Sequence, residues 1–123
     1  MELRYLAYAL MGVVILIHLY IVWLEMFAWT TRGPKVFRSL PASLFPPTKA
    51  MAANQGLYNG FLAAGLIWAL SITDLHWQRN VAFFFLGCVM VAGLYGAATA
   101  SRRILWVQTV PALLAAAVLW LSA

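Results

Sequence analysis

Glu25 and His18 are a carboxylate and an imidazole set inside the first long apolar stretch of the chain. Seven residues make nearly two α-helical turns, so both side chains leave one face within about 20° of each other. In an apolar setting such a pair can move protons, one group acting as acid and the other as base. An ionisable residue inside a membrane span is costly to keep and by default marks function. Glu25 and His18 are therefore the candidate catalytic residues, and Trp29 extends their face by one turn. The bland alternatives are a neutral His bonded to one carbonyl, and a carboxylate one or two turns from water.

A second group opens the next apolar stretch, at Asn54-Gln55-Gly56-Leu57-Tyr58-Asn59-Gly60. At about 100° per residue, Asn54, Tyr58, Gln55 and Asn59 fall at about 0°, 40°, 100° and 140°. That is one continuous polar arc, expected to face inward, because a polar group in hydrocarbon must find a partner. Gly56 and Gly60 fall at about 200° and 240°, a small-residue face expected to pack on the third span. Later in the chain come Tyr95 and Thr99 on one face, then Gln108 and Pro111. Proline cannot donate to the carbonyl four residues back, so Val107 keeps a free oxygen there. Asn54, Gln55, Tyr58, Asn59, Tyr95 and Gln108 are the candidate ligand-binding residues. Carboxamides and phenols orient a polar headgroup; they equally serve as glue between helices.

The elements that must position these groups follow from composition. Of 123 residues, 65% are hydrophobic and 9% are charged, against about 25% charged in soluble domains. Four apolar stretches approach the ~20 residues that a span needs, roughly residues 5–28, 50–73, 81–100 and 104–121. The expected fold class is all-α: one domain over residues 1–123, a four-span transmembrane helix bundle. The first stretch is too long for a signal-peptide core and lacks a clear cleavage site, so it is expected to be retained. Residues 30–49 are too short and polar to span. Phe37, Leu40 and Leu44 recur there at helical spacing beside Arg38, which predicts a short interfacial helix.

The formal net charge of +5 does not imply nucleic acid, because the bases flank the spans and form no stripe. Arg32, Lys35, Arg38, Lys49, Arg102 and Arg103 follow odd-numbered spans; Arg4 and Arg79 lie on the other side. Positive charge marks the cytoplasm, which places both termini outside it. Alternating direction then puts Glu25, the Asn54–Asn59 arc, Tyr95 and Gln108 in the cytoplasmic half of the bilayer. His18 lies about 10 Å deeper. Polar groups gathered at one depth suggest a pocket open to the cytoplasmic leaflet. The six tryptophans mostly read as interfacial anchors. Cys88, the single cysteine, reads as a small buried apolar side chain. One His and one carboxylate do not make a metal set, and no cofactor is implied.

The pattern His18, then Leu24-Glu25-Met26-Phe27-x-Trp29, then Asn54 through Gly65, then Gln108 with Pro111-Ala112, resembles the bacterial family called domain of unknown function 1304. The resemblance covers essentially the whole chain. It implies a small four-span integral membrane protein of the bacterial inner membrane and brings no established reaction or catalytic residues. Two functions fit. One is a membrane-embedded enzyme or binder that acts on an amphiphilic, lipid-like ligand by proton transfer. The other is a transport, sensor or accessory subunit whose polar cluster is structural. Membrane lipid is the expected partner in either case, and a homo-oligomer stays open.

Overall fold

The structure is a computed structural model and describes residues 2–122. It is all-helical: among the described residues there is no strand. The long helices are α1 (Glu2–Phe27), α3 (Lys49–Ser71), α4 (Leu75–Thr99) and α5 (Val110–Leu121), with a four-residue α2 (Gly33–Val36) after α1. Two 3-10 turns, Ala42–Leu44 and Pro46–Thr48, lead into α3, and a π turn, Leu105–Thr109, leads into α5.

Helix α4 starts earlier than the apolar stretch predicts. Asp74 is its N-cap and accepts from the Trp77 backbone N–H at 3.1 Å, which satisfies one of the donors a helix start leaves open. The π turn ends two residues before Pro111. Proline removes one donor from the i→i−4 ladder, and the widened turn accommodates the break. The expected interfacial helix does not form over Phe37–Leu44. Pro41, Pro46 and Pro47 lack the backbone N–H that a helix there would need, and the segment settles into short turns instead.

The chain divides into two compact units, one built on His18–Phe61 and the other on the chain either side of it. The core of the flanking unit is Ala7, Met11, Val14, Leu66, Ala69, Ala82, Leu86, Val89, Ala112, Ala115 and Leu119, with further half-buried apolar neighbours. Helix α4 packs on both the π turn and α5. Gly93 makes that approach close: a Cβ there would meet the Thr109 backbone nitrogen at 2.8 Å, and the Thr109 hydroxyl donates to the Met90 carbonyl at 3.1 Å. Tyr8 donates to Gln78 Oε1 at 2.6 Å, and Gln78 Nε2 donates to the Ile72 carbonyl at 3.2 Å. Gln78, expected in a polar turn, is buried.

Helices α1 and α4 are each long and apolar enough to cross a membrane, and Leu105–Leu121 forms a shorter apolar helix. Only 28% and 22% of the most apolar stretches of α1 and α4 are buried. Leu16, Phe27, Met51, Phe84, Val91 and Trp120 are each about two-thirds exposed or more.

Candidate functional site: the groove at Glu25

Within the His18–Phe61 unit, the site is set by one close approach of two helices. Gly56 is buried, and a Cβ on it would lie 2.6 Å from Met26 Cγ, 3.1 Å from Glu25 Cβ and 3.3 Å from the Met26 backbone nitrogen. Gly60, one turn on, would bring a Cβ to 3.5 Å from Val22 Cγ2. The glycine face of α3 therefore rests on α1. This corrects the expectation that it packs on the third span. The phase of the glycines is as the sequence predicts, but phase alone does not name the partner.

This approach brings Asn59 to Glu25. Asn59 Nδ2 donates to Glu25 Oε1 at 2.9 Å and to the Gln55 carbonyl at 3.0 Å. A hydrogen bond to a carboxylate is about twice as strong as one between neutral groups. At about 140°, Asn59 lies next to the glycines at about 200° and 240°, so α1 covers all three. Asn54 and Tyr58 lie on the far side, and both are exposed. The polar arc is thus cut in two, with Asn59 turned to α1 and Asn54 and Tyr58 turned out. Asn54 instead bonds back to the Ala50 carbonyl at 3.0 Å. Gln55 is exposed but stands at the rim of the groove described next.

That groove, of about 240 Å³, runs beside Glu25 and is lined by Trp29, Leu40, Leu44, Phe45, Thr48, Met51, Ala52 and Gln55. Two of its lining residues, Trp29 and Phe45, belong to a cluster of tilted aromatic rings. The Trp29 ring lies 4.9 Å from that of Phe45 and 5.5 Å from that of Phe37. Trp29 Nε1 donates to Thr48 Oγ1 at 2.9 Å, and the Thr48 hydroxyl donates on to the Leu44 carbonyl at 2.7 Å. Phe45 is fully buried and closes over Gly33, where a Cβ would come within 2.9 Å of its ring. Burying one aromatic ring contributes about 1.5–3 kcal/mol, so this strap is well held. Trp29 departs from the interfacial role expected of the tryptophans, whereas Trp23, Trp68, Trp77, Trp106 and Trp120 are exposed.

The groove offers mostly hydrocarbon walls and a half-buried carboxylate with Oε1 occupied by Asn59. Such a carboxylate can accept a further hydrogen bond from a hydroxyl or amine, or exchange a proton with it. His18 is fully buried and does not line this groove. It lies about 10 Å along α1 from Glu25, so a ligand at Glu25 would not touch it directly. Tyr95, which is 72% exposed, and Gln108, which is buried in the π turn, belong to the other unit. The residues missed by sequence reasoning are Thr48 and Phe45, whose only signal is a Phe-Pro-Pro-Thr run that reads as a turn.

The comparisons with known proteins agree with the motif. Residues 12–120 match the family described as Protein of unknown function (DUF1304). A relative described as uncharacterized protein YpaA, from Lactococcus lactis subsp. lactis (strain IL1403), is 31% identical over 98 residues, covering 78% of this chain and 81% of that one. No solved structure matches. The matched span takes in His18, Glu25, Asn59 and Gln108 together, and on that extent the chain belongs to the DUF1304 family of proteins of unknown function.

Proposed function

We propose that the chain is a four-span integral membrane protein, one domain overall, that binds an amphiphilic ligand in the groove at Glu25. The exposed apolar surface supports the membrane assignment. A soluble core helix is mostly buried, while α1 and α4 leave most of their apolar stretches open, and contiguous apolar surface of that kind marks contact with lipid or partners. Helix α3 and the 17-residue run Leu105–Leu121 would be the other two spans. The basic residues Arg32, Lys35, Arg38, Lys49, Arg102 and Arg103 would face the cytoplasm, with both termini outside it.

The observation that carries the ligand reading is the setting of Glu25: one carboxylate in the lining of an otherwise largely apolar groove, held at one oxygen by Asn59. Hydrocarbon would lie along Leu40, Leu44 and Met51. A hydroxyl or amine head would reach Glu25, with the Gln55 amide beside it. At about 240 Å³ the groove is below the ~300–1,000 Å³ of drug-sized pockets, which suits one chain of an amphiphile. Proton transfer at Glu25 would be the enzymatic form of this reading. The test is mass spectrometry of organic extracts from wild type, Glu25→Gln and Glu25→Leu, purified in mild detergent. A near-stoichiometric amphiphile in wild type that is depleted in both variants supports binding. Equal lipid content in all three contradicts it.

A second reading has one observation behind it. Among the described residues, every buried side-chain nitrogen and oxygen already has a hydrogen-bond partner. A satisfied Glu25–Asn59 pair can simply fix the register of α1 against α3 in a non-enzymatic transport, sensor or accessory subunit. Glu25→Gln would then be tolerated and Glu25→Leu would destabilise, with no ligand lost.

A further inference from the structure

We infer that the turn between α3 and α4 holds the ammonium headgroup of a zwitterionic lipid, between Trp68 and Trp77 and against Asp74. This rests on the membrane assignment but not on the Glu25 groove. A second groove, of about 560 Å³, lies at this turn, and Trp68, Ser71, Asp74 and Trp77 all line it. Both indoles are more than half exposed. Indole is the best of the aromatic faces for a cation, and aromatic cages are the recurring way to bind quaternary ammonium groups.

Charge is complementary as well. Asp74 is the one charged residue that lines this groove, and no base lines it. Asp74 Oδ1 caps α4 through the Trp77 N–H; one oxygen suffices for a cap, which leaves the other for a ligand. The nearby base is committed elsewhere. Arg79 Nη1 donates to the Leu119 carbonyl at 2.6 Å and to Ser122 Oγ at 3.4 Å, and the guanidinium sits 5.3 Å from the Phe83 ring centre. His76 pairs with Asn80 at 3.3 Å. A turn between two membrane helices lies at headgroup depth, where lipid presents its ammonium at high local concentration, so the occupant is a lipid and not a free amine.

The experiment is fluorine NMR of protein labelled with 5-fluorotryptophan in dodecyl maltoside. Trp68→Phe and Trp77→Phe assign two of the resonances. Dihexanoylphosphatidylcholine is titrated, with dihexanoylphosphatidylglycerol and choline chloride as the other arms. Saturable shifts of both resonances with the choline lipid alone are expected. Asp74→Asn removes the charge but keeps a good helix cap, and should weaken the apparent affinity by about two- to fivefold; each Trp→Phe change should do likewise at the remaining indole. Circular dichroism confirms that each variant is folded. Equal shifts with the glycerol lipid would show a plain apolar groove and overturn the inference. So would equal shifts with choline chloride, or an affinity indifferent to Asp74→Asn. Recovery of the expressed chain in the carbonate-washed membrane pellet reads the membrane assignment separately; its absence there would remove the inference together with that assignment.

Discussion

Replacing Gly56 by Ala should destabilise the protein, while the same change at Gly60 should not. At position 56 the new methyl would stand 2.6 Å from Met26 Cγ, 3.1 Å from Glu25 Cβ and 3.3 Å from the Met26 backbone nitrogen. The Met26 side chain can rotate away, but the other two atoms are fixed by α1, so the helices must separate by a few tenths of an ångström. Overpacking of this kind costs about 1–3 kcal/mol. Against it stands the better helix propensity of Ala, about 1 kcal/mol. The net expectation is a loss of up to about 2 kcal/mol at Gly56. At Gly60 the methyl meets only Val22 Cγ2 at 3.5 Å, an ordinary contact, which leaves the propensity gain and a change of about 0 to 1 kcal/mol in the stabilising direction. Unfolding in dodecyl maltoside, driven by added dodecyl sulfate and followed by tryptophan fluorescence, measures both. Gly56→Ala more stable than wild type, or Gly60→Ala the more damaging of the two, would refute the packing of α3 on α1.

Other outcomes follow from single contacts. Glu25→Gln should fold nearly as well as wild type, because Asn59 can still donate to an amide oxygen, whereas Glu25→Leu should lose about 1–3 kcal/mol by leaving Asn59 without that acceptor; the same unfolding assay distinguishes them. Tyr8→Phe should cost about 1–3 kcal/mol, since Gln78 is buried and would lose the donor to its Oε1. Trp29→Phe should cost about 1 kcal/mol and raise protease cleavage within residues 37–48, because it removes the bond to Thr48. A reporter active only in the periplasm should be active at the C-terminus; strong signal there from a cytoplasm-only reporter would reverse the orientation.

Helix positions were legible because apolar stretches of that length have few alternatives. The boundary of α4 was not, since the polar residues from Asp74 to Asn80 look like a turn until Asp74 is recognised as a cap. The site was legible in part. Helical phase put Asn59 and Glu25 on faces that can meet, and Asn59 Nδ2 does donate to Glu25 Oε1. Phase gives the angles between side chains within a helix but not the direction from which a neighbour arrives. The neighbour of Gly56 arrives from the side of Asn59, and that is why Asn54 and Tyr58 point outward. The strap formed by Phe37, Phe45 and Thr48 was invisible for another reason. It is held by contacts to Trp29 between non-repeating turns, and no periodicity encodes these.

Occupancy of the Glu25 groove can be seen in a high-resolution map of the protein in lipid discs, between Glu25, Met51 and Gln55. Elongated density is expected along Leu40 and Leu44, ending in a polar head within hydrogen-bond distance of Glu25. A groove filled by side chains, or a Glu25 turned away from both Asn59 and the groove, would contradict this expectation.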